Sequence, residues 1–267
     1  MIIDGREMAK GVLARTKERV ESLGRTPRVA VFVTSETPAT KSYLAIKTKR
    51  ATDAGCVLEV HQFSESTTTL ELQTAIQASS ADAIIVQLPL PEHIDTKEVC
   101  DAIPVAKDAD ILSSSARAHI EPLPPVVAAV REIFIQNAIE VKGKKAVVIG
   151  AGFLVGAPCA TWLKEQGAEV SVVTSESGNL ADALQEADII ISGAGSPHLI
   201  KPSVLKQGVV LIDAGTSESG GEVVGDADPA CASVCALFTP VPGGMGPLAV
   251  ACLFENVMLL TEKAIES

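Results

Sequence analysis

Tyr43 and Lys47 are the first residues in the sequence whose types and spacing could carry chemistry. They lie four positions apart in the segment TKSYLAIKTKRA, so on a helix they share one face, with their Cβ atoms roughly 6 Å apart. A lysine held against an aromatic surface loses contact with water and becomes able to act as an acid or a base. The alternative is a solvated basic helix face, which spacing alone favours because Lys41, Lys49 and Arg50 lie close by.

Three glycines form a second pattern. Gly150, Gly152 and Gly156 directly follow the apolar run KAVVI and open a predicted helix. Glycines there permit a tight turn, and the helix N-terminus then offers free N–H groups to a pyrophosphate. The spacing is G-x-G-x-x-x-G rather than G-x-G-x-x-G, so a structural glycine turn is the alternative. With a strand predicted on each side, the pattern favours nucleotide binding.

Two further segments fall where ligands bind in parallel sheets. Gln87 closes the apolar run ADAIIV, at the end of a predicted strand, where the crevice of a parallel sheet forms. A strand cap that bonds to backbone is an equal alternative for this amide. The segment TPVPGGMGP at 239–247 has a backbone path fixed by prolines and glycines, as in a binding loop or a rigid connector between domains.

These residues need a scaffold, and hydrophobic periodicity predicts alternating helices and strands. In the first half we predict helices at 6–23, 38–53 and 68–79, and strands at 28–34, 57–63 and 81–90. In the second half we predict helices at 125–138, 156–166, 179–186 and 247–265, and strands at 145–150, 169–174, 187–192 and 208–215. Between the halves, residues 107–125 include three consecutive serines and several prolines, which predicts a loop solvated at Ser113–Ser115 and a domain boundary.

Composition excludes several classes of protein. The chain has 267 residues and a formal net charge of −11, which disfavours nucleic acid and anionic membranes as partners. No stretch approaches the ~20 apolar residues of a membrane span, and the N-terminus has no signal-peptide layout. The six cysteines and four histidines have no metal-ligand spacing. We therefore expect free thiols, no metal site and a reducing, cytoplasmic location.

Seven blocks of sequence occur in the order and context of one known family. They are IIDG at 2–5, SYLAIKTK at 42–49, VQLPLPEHID at 86–95, KDAD at 107–110, VGAP at 155–158, VVGD at 223–226 and TPVPGGMGPLAV at 239–250. Together they resemble the methylenetetrahydrofolate dehydrogenase/methenyltetrahydrofolate cyclohydrolase family over nearly the whole chain. The resemblance implies a homodimer of two-domain α/β subunits with a cleft between the domains. A parallel α/β folate domain would comprise 1–122 plus 245–267, and a Rossmann-like dinucleotide domain 123–244.

The resemblance also implies an activity and a set of site residues. Family members oxidise 5,10-methylenetetrahydrofolate to the methenyl form with NADP or NAD, and many then hydrolyse it to 10-formyltetrahydrofolate. Lys47 matches the catalytic lysine, Gln87 the glutamine that bonds and tunes it, Tyr43 the aromatic that packs on the folate, and Asp110 the aspartate that holds the pterin. Further substrate contacts are expected from Pro242, Gly243 and Gly244. Cofactor contacts are expected from Gly150, Ala151, Gly152, Val155, Gly156, Ser175 and Thr216.

The sequence departs from the family pattern at three places. Ala151-Gly152 stands where the family commonly has Arg-Ser, whose arginine faces the extra phosphate of NADP, and Glu176 lies near where a basic residue often helps. A lost cation and an added carboxylate weaken NADP, so we expect a shift towards NAD. The family's D-V-D-G and P-C-T-P-x-G become 108–111 and 122–127 here. These changes keep two alternatives open, which are a monofunctional dehydrogenase acting on a folate or related reduced pterin and a non-enzymatic nucleotide-binding relative.

Overall fold

A computed structural model of the chain describes residues 1–34, 37–119, 121–177 and 180–266. The chain divides into two compact units. The three-stranded unit comprises Lys10–Pro125 and Val250–Ser267, and the five-stranded unit comprises Met1–Ala9 and Val126–Ala249. Both are built from parallel strands alternating with helices, which confirms the predicted α/β class.

The three-stranded unit has the strand order β2-β1-β3, and all its strand pairs are parallel. Its strands are β1 (Arg28–Val33), β2 (Val57–Gln62) and β3 (Ala83–Val86). The helices of this part of the chain are α1 (Gly5–Ser22), α2 (Pro38–Asp53), α3 (Thr69–Gln77), α4 (Thr96–Asp101) and α5 (Ser114–Arg117). β3 is completely buried, as its unbroken apolar run predicts, and it packs in a core with α3 and α4.

The five-stranded unit has the order β10-β7-β6-β4-β5, again all parallel, with a separate two-stranded hairpin. Its strands are β4 (Lys145–Ile149), β5 (Glu169–Val173), β6 (Ile189–Ser192), β7 (Val210–Asp213), β8 (Ser217–Ser219), β9 (Glu222–Val224) and β10 (Leu237–Phe238). The helices of this part of the chain are α6 (Pro125–Gln136), α7 (Gly156–Glu165), α8 (Leu180–Glu186) and α9 (Met245–Glu266). The strand order reverses between β4 and β6, which makes that point the ligand crevice of a doubly wound sheet.

The first nine residues belong to the five-stranded unit, whereas the predicted domains put them in the other one. Ile2 forms a parallel bridge with Phe238, and the Met1 ammonium donates to the Ala236 carbonyl at 2.7 Å. Main-chain hydrogen bonds of this kind do not depend on side-chain type, so the hydrophobic pattern of the sequence does not predict them. The units therefore exchange chain after residues 9, 125 and 249.

Residues 107–125 contain more order than a solvated loop. Ser113 is buried, its N–H donates to Asp108 Oδ2 at 2.7 Å, and its hydroxyl accepts from the Ala116 N–H to begin α5. The prediction of a solvated serine is therefore wrong at Ser113. The physical reason is that a buried carboxylate and a helix N-terminus both need hydrogen-bond partners there.

All six cysteines are free and buried. In the described ranges, no helix has the length and apolar character needed to cross a membrane. Those ranges also contain no group of three or more His, Cys, Asp or Glu residues arranged to hold a metal ion.

Candidate active site

Lys47 lies in the third turn of α2, a helix whose two ends are set by local signals. Thr37 caps the start by accepting from the Thr40 N–H at 3.2 Å, and Gly55, at φ 77°, follows its end. The Lys47 side chain is half-buried and donates to Gln87 Oε1 at 3.0 Å. This contact argues against the solvated basic face, because the lysine is directed at another side chain of the same unit.

Gln87 directly follows β3, and both its backbone and its side chain are fixed. Its N–H donates to the Phe32 carbonyl at 2.9 Å, which continues the pairing of β3 with β1. Its side-chain Nε2 donates to the Leu88 carbonyl at 2.8 Å, so Oε1 is left to accept from Lys47. The amide is thus both a strand cap and a lysine partner, and the two interpretations of Gln87 are compatible.

Asp110 lies on the chain segment that runs beside β3. Asp108 forms a parallel bridge with Ile84, so two residues later Asp110 is level with the carboxyl end of the strand. Burial raises the pKa of Asp110, and Asp108 adds to the rise, while the Lys47 ammonium opposes it. Asp110 remains partly exposed, and its side chain makes no hydrogen bond to the described residues. Its oxygens are therefore available to a ligand.

Asp108 fixes the turn that presents Asp110. Its carboxylate is completely buried and accepts from the N–H groups of Leu112 at 3.0 Å and Ser113 at 2.7 Å. Burial raises the pKa of Asp108, and these hydrogen bonds oppose the rise. Between them, Ile111 takes a φ of 54°, a left-handed conformation that a glycine adopts without strain. The family resemblance predicts a glycine at this position, and Ile111 takes the left-handed φ at a cost in strain.

Asn256 of α9 holds both segments that depart from the family pattern, 108–111 and 122–127. Its buried Nδ2 donates to the Ala109 carbonyl at 2.9 Å and to the Leu123 carbonyl at 2.8 Å. The segment beside Asp110 therefore has a fixed position although its sequence differs from the family pattern. Nothing in the sequence singles out Asn256, because its partners are far away along the chain.

Tyr43 lies in α2 on the turn before Lys47, but its side chain is outside the described part of the structure. Thr34, which the sequence does not single out, follows β1 at the same edge of the sheet. Its hydroxyl is buried and has no hydrogen-bond partner among the described residues. Thr34 is only 1% exposed, so the structure does not offer this hydroxyl as a ligand contact.

The glycine turn of the five-stranded unit has the geometry that its sequence predicts. Gly150 has a φ of 90°, and a Cβ on it would lie 3.0 Å from the Gly193 carbonyl oxygen. A Cβ on Gly156 would overlap the Gly150 carbonyl, so α7 can begin this close to β4 only with glycine. Gly152, in contrast, has open space around it. A phosphate group fits over such a turn, at the N-terminus of α7.

The other predicted cofactor residues line the same edge of this sheet. Ala151 and Gly152 are exposed and Val155 is half-buried just before α7. Ser175 and the neighbouring Glu176 are exposed in the turn after β5, and Thr216 is exposed in the loop after β7. Because β4, β5 and β7 are parallel, their carboxyl ends lie at one edge, and these residues follow them there.

The sequence does not predict the buried hydrogen-bond network at this edge. Asp213 ends β7, and its carboxylate accepts from three N–H groups, those of Gly215, Asp226 and Ala227, at 2.8–3.2 Å. Asp226 lies in the VVGD block and is also completely buried. Burial raises the pKa of Asp213 to about 6, and its backbone hydrogen bonds oppose the rise.

The substrate contacts predicted at Pro242, Gly243 and Gly244 lie in the five-stranded unit. A Cβ on Gly5 would overlap the Gly244 carbonyl, so the IIDG block can lie against the PVPGG block only with a glycine at position 5. Gly243 has a φ of 106° and faces the Arg6 guanidinium. Lys47, Gln87 and Asp110 lie in the three-stranded unit, so the predicted substrate residues divide between the units.

Comparison with known proteins gives one family for both units. Residues 3–110 match the family model described as the catalytic domain of tetrahydrofolate dehydrogenase/cyclohydrolase, and residues 124–265 match its NAD(P)-binding domain. The bifunctional protein FolD of Halothermothrix orenii is 36% identical to this chain over 274 residues, which covers 96% of both proteins.

Two solved structures are similar over the full length. The bifunctional FolD methylenetetrahydrofolate dehydrogenase/cyclohydrolase of Campylobacter jejuni has a TM-score of 0.94 and 31% identity, with 99% of each chain covered. The Trypanosoma brucei N5,N10-methylenetetrahydrofolate dehydrogenase-cyclohydrolase, solved with NADP and an inhibitor, has a TM-score of 0.93 and 31% identity. That match covers 100% of this chain and 99% of the trypanosome chain.

Proposed function

The chain belongs to the tetrahydrofolate dehydrogenase/cyclohydrolase family, and on that premise we propose how its residues divide the work. It is an enzyme that oxidises 5,10-methylenetetrahydrofolate to the methenyl form with NADP or NAD and hydrolyses the product to 10-formyltetrahydrofolate. Its small-molecule partner is a reduced folate. The observation that carries the proposal is the 3.0 Å hydrogen bond from Lys47 Nζ to Gln87 Oε1, level with an Asp110 that has free oxygens.

Lys47 is the proton-transfer group of the hydrolysis. Water adds to the methenyl carbon and loses a proton, which a lysine amine within reach can take. N5 then takes the proton that the lysine holds and its C–N bond breaks, while the hydroxyl of the adduct loses its remaining proton to the lysine amine and becomes the carbonyl of the 10-formyl group. Gln87 keeps the Nζ atom in one position, because its own Nε2 is fixed to the Leu88 carbonyl.

Asp110 holds the pterin. A carboxylate accepts two N–H bonds from the edge of a pterin ring, and Asp110 has unused acceptor oxygens at the correct edge of the sheet. Tyr43, one helical turn before Lys47, supplies an aromatic surface for the folate, and Pro242, Gly243 and Gly244 supply further contacts. Asp108 and Asn256 position Asp110 without touching the substrate.

The five-stranded unit holds the dinucleotide. The pyrophosphate binds at Gly150, Ala151 and Gly152 and at the start of α7, beside Val155 and Gly156. Ser175 contacts the adenosine half and Thr216 the other half. A bound nicotinamide would supply the hydride acceptor for the oxidation, and this unit would position and shield it.

NAD is the preferred dinucleotide. The extra phosphate of NADP needs a cation, and position 151 offers a methyl group. Glu176 is exposed beside Ser175, and its N–H bonds to Thr174 Oγ1, so its backbone is fixed in that turn. A carboxylate there accepts the ribose hydroxyls of NAD and repels a phosphate.

The enzyme is a homodimer of the cytoplasm. Both sheets end in an edge strand that exposes valines, Val57 and Val60 on β2 and Val172 on β5, and such edges invite pairing with another chain. Six free thiols fit a reducing compartment. Sedimentation at micromolar concentration separates a dimer from a 27.7 kDa monomer.

Two assays on the purified chain test the activity. The first supplies methylenetetrahydrofolate with NAD or NADP and follows methenyl formation by absorbance. The second supplies methenyltetrahydrofolate alone and follows its loss above the rate without protein. Activity in both supports the bifunctional enzyme, and the absence of both overturns it.

Oxidation without hydrolysis supports the monofunctional dehydrogenase instead. The left-handed Ile111 and the sequence departures at 108–111 and 122–127 favour that alternative. Dinucleotide binding with neither activity supports a non-enzymatic relative.

A further inference from the structure

Asp226 connects the segment that contains it to the loop that follows β6. Its carboxylate is completely buried and accepts three hydrogen bonds, one from the last residue of β6 and two from that loop. Oδ2 accepts from Ser192 Oγ at 2.6 Å and from the Ala194 N–H at 2.8 Å, and Oδ1 accepts from the Ser196 N–H at 2.7 Å. One side chain thus fixes the backbone of residues 193–196.

The backbone at Asp226 is itself held by Asp213, the last residue of β7. The Asp213 carboxylate accepts from the Asp226 N–H at 3.2 Å and from the Ala227 N–H at 2.8 Å. Asp213 in turn is anchored in the sheet, because its N–H donates to Thr239 Oγ1 at 2.7 Å. The position of the 193–196 loop therefore depends on a chain of hydrogen bonds that starts at β7.

Two glycines make room for this arrangement. A Cβ on Gly215 would overlap the Asp226 carboxylate, and a Cβ on Gly225 would overlap that of Asp213. Neither glycine has a positive φ, so backbone conformation is not the reason for a glycine at either position. Each is needed because a side chain there would occupy the space of a buried carboxylate.

The 193–196 loop borders the predicted cofactor crevice. It follows β6, which lies next to β4 at the reversal of strand order, and the Gly193 carbonyl faces Gly150. Ser175 and Glu176 follow β5, on the opposite side of β4, where the adenosine ribose binds in doubly wound folds. The loop after β6 therefore faces the half of the dinucleotide beyond the pyrophosphate.

We propose that Asp226 is a positioning residue for the nicotinamide half of the dinucleotide, which acts by fixing the 193–196 loop. This inference rests on the proposed function, because it takes the ligand of the crevice to be NADP or NAD. It assigns to the VVGD block a role in the cofactor site although Asp226 itself is buried away from any ligand.

Binding of two probes to the full chain tests the proposal. NADH contains both halves of the dinucleotide, and ADP-ribose lacks the nicotinamide. In Asp226→Asn an amide group replaces one oxygen and opposes an N–H donor, so the Kd for NADH rises by about tenfold or more. The Kd for ADP-ribose and the rate of methenyltetrahydrofolate hydrolysis stay within about twofold, an allowance for variation between preparations.

Asp228→Asn is the matched control. This aspartate lies two residues away, accepts from the Ala230 N–H and pairs with Lys201, and among the described residues it makes no hydrogen bond to the 193–196 loop. Its substitution leaves both Kd values unchanged. Equal NADH binding by wild type and Asp226→Asn overturns the proposal, and so does an equal loss for NADH and ADP-ribose, which indicates a general structural role.

Ser192→Ala decides the matter if Asp226→Asn does not fold. It removes one donor to Asp226 and keeps the carboxylate with its other two bonds, so the Kd for NADH rises by several-fold and that for ADP-ribose does not. An unchanged Kd for NADH in a folded Ser192→Ala overturns the proposal. A wild-type chain that binds neither probe instead overturns the proposed function.

Discussion

Asp110 and Asp226 both lie at the carboxyl edge of a parallel sheet, yet their carboxylates have different surroundings. Asp226 is fully buried and its oxygens accept three hydrogen bonds from the protein. Asp110 is partly exposed and accepts none from the described residues. The first carboxylate stabilises backbone, and the second is kept free at a cost in desolvation, which raises its pKa.

The difference teaches how to separate scaffold from chemistry at a sheet edge. Polar groups saturated by main-chain N–H groups, such as Asp108, Asp213 and Asp226, shape loops. Groups with one hydrogen-bond partner or none among the described residues, such as Lys47 and Asp110, are left for a ligand. Variants at the two edges should therefore affect different reactions.

Lys47→Met should give the largest effect, and it should impair only the chemistry at the sheet edge that holds Asp110. The side chain keeps its approximate length and loses its proton chemistry, so hydrolysis falls by about 10²–10⁴-fold. Oxidation falls less, because hydride transfer depends mainly on positioning. Rates of both reactions measure this, with Lys49→Met, an exposed lysine of the same helix, as control. Hydrolysis at the wild-type rate in Lys47→Met would show that another group carries the proton.

Ala151→Arg should alter only the dinucleotide edge. A guanidinium at this exposed position gains a charge-assisted bond to the extra phosphate, so the ratio of kcat/KM for NADP to that for NAD rises about tenfold. Ser219→Arg adds the same charge on the exposed β8–β9 hairpin and should leave the ratio unchanged. A strong NADP preference in wild type that Ala151→Arg does not change would mean that the phosphate is bound elsewhere.

The pH dependence of folate binding should be the smallest effect, and it tests whether the Asp110 carboxylate, unlike that of Asp226, binds a ligand. Protonation removes an acceptor from Asp110, so KM for the folate rises as pH falls through its pKa, which burial raises above the ordinary 3.8. We therefore expect the rise in KM to begin at a higher pH than it would for an ordinary aspartate. Asp110→Asn should bind folate weakly at every pH and lose this dependence, whereas an unchanged profile would assign the titration to another group.

Folding stability responds to Asp110 with the opposite sign. A carboxyl whose pKa is higher in the folded chain than in the unfolded chain contributes stability at low pH. That contribution is lost as pH rises through the folded pKa. Lower pH therefore stabilises the fold through Asp110 while it weakens binding of the folate. Measuring both KM and the free energy of unfolding against pH distinguishes lost binding from unfolding.

Local patterns predict most of the elements that hold the site. Residues 38–53 have helical spacing and a glycine after them, and α2 has those bounds. The unbroken apolar run before Gln87 predicts the buried β3, and Gly150 takes the left-handed φ that its turn requires. The site roles of Tyr43, Lys47, Gln87 and Asp110 come from the family resemblance, since spacing alone favours a solvated face for the lysine.

Contacts between distant segments account for what the sequence does not predict. Asn256 meets Ala109 across 147 positions of sequence, and Ser192 meets Asp226 across 34. No periodicity marks such pairs. The one local signal is a glycine within two positions of an aspartate, in D-A-G and V-V-G-D, where each missing Cβ makes room for the carboxylate of the other segment. The N-terminal pairing of Ile2 with Phe238 is equally invisible, because main-chain hydrogen bonds do not depend on side-chain type.

The buried cysteines supply a reporter of local unfolding. Burial raises the pKa of Cys56, Cys100, Cys159 and Cys235 to about 12, so the reactive thiolate is almost absent from the native chain. Cys56, Cys100 and Cys252 belong to one unit and Cys159, Cys231 and Cys235 to the other. A maleimide pulse followed by mass spectrometry would therefore record the opening of each unit separately, without any engineered label. Added folate should slow alkylation of the first set of thiols, and added dinucleotide that of the second.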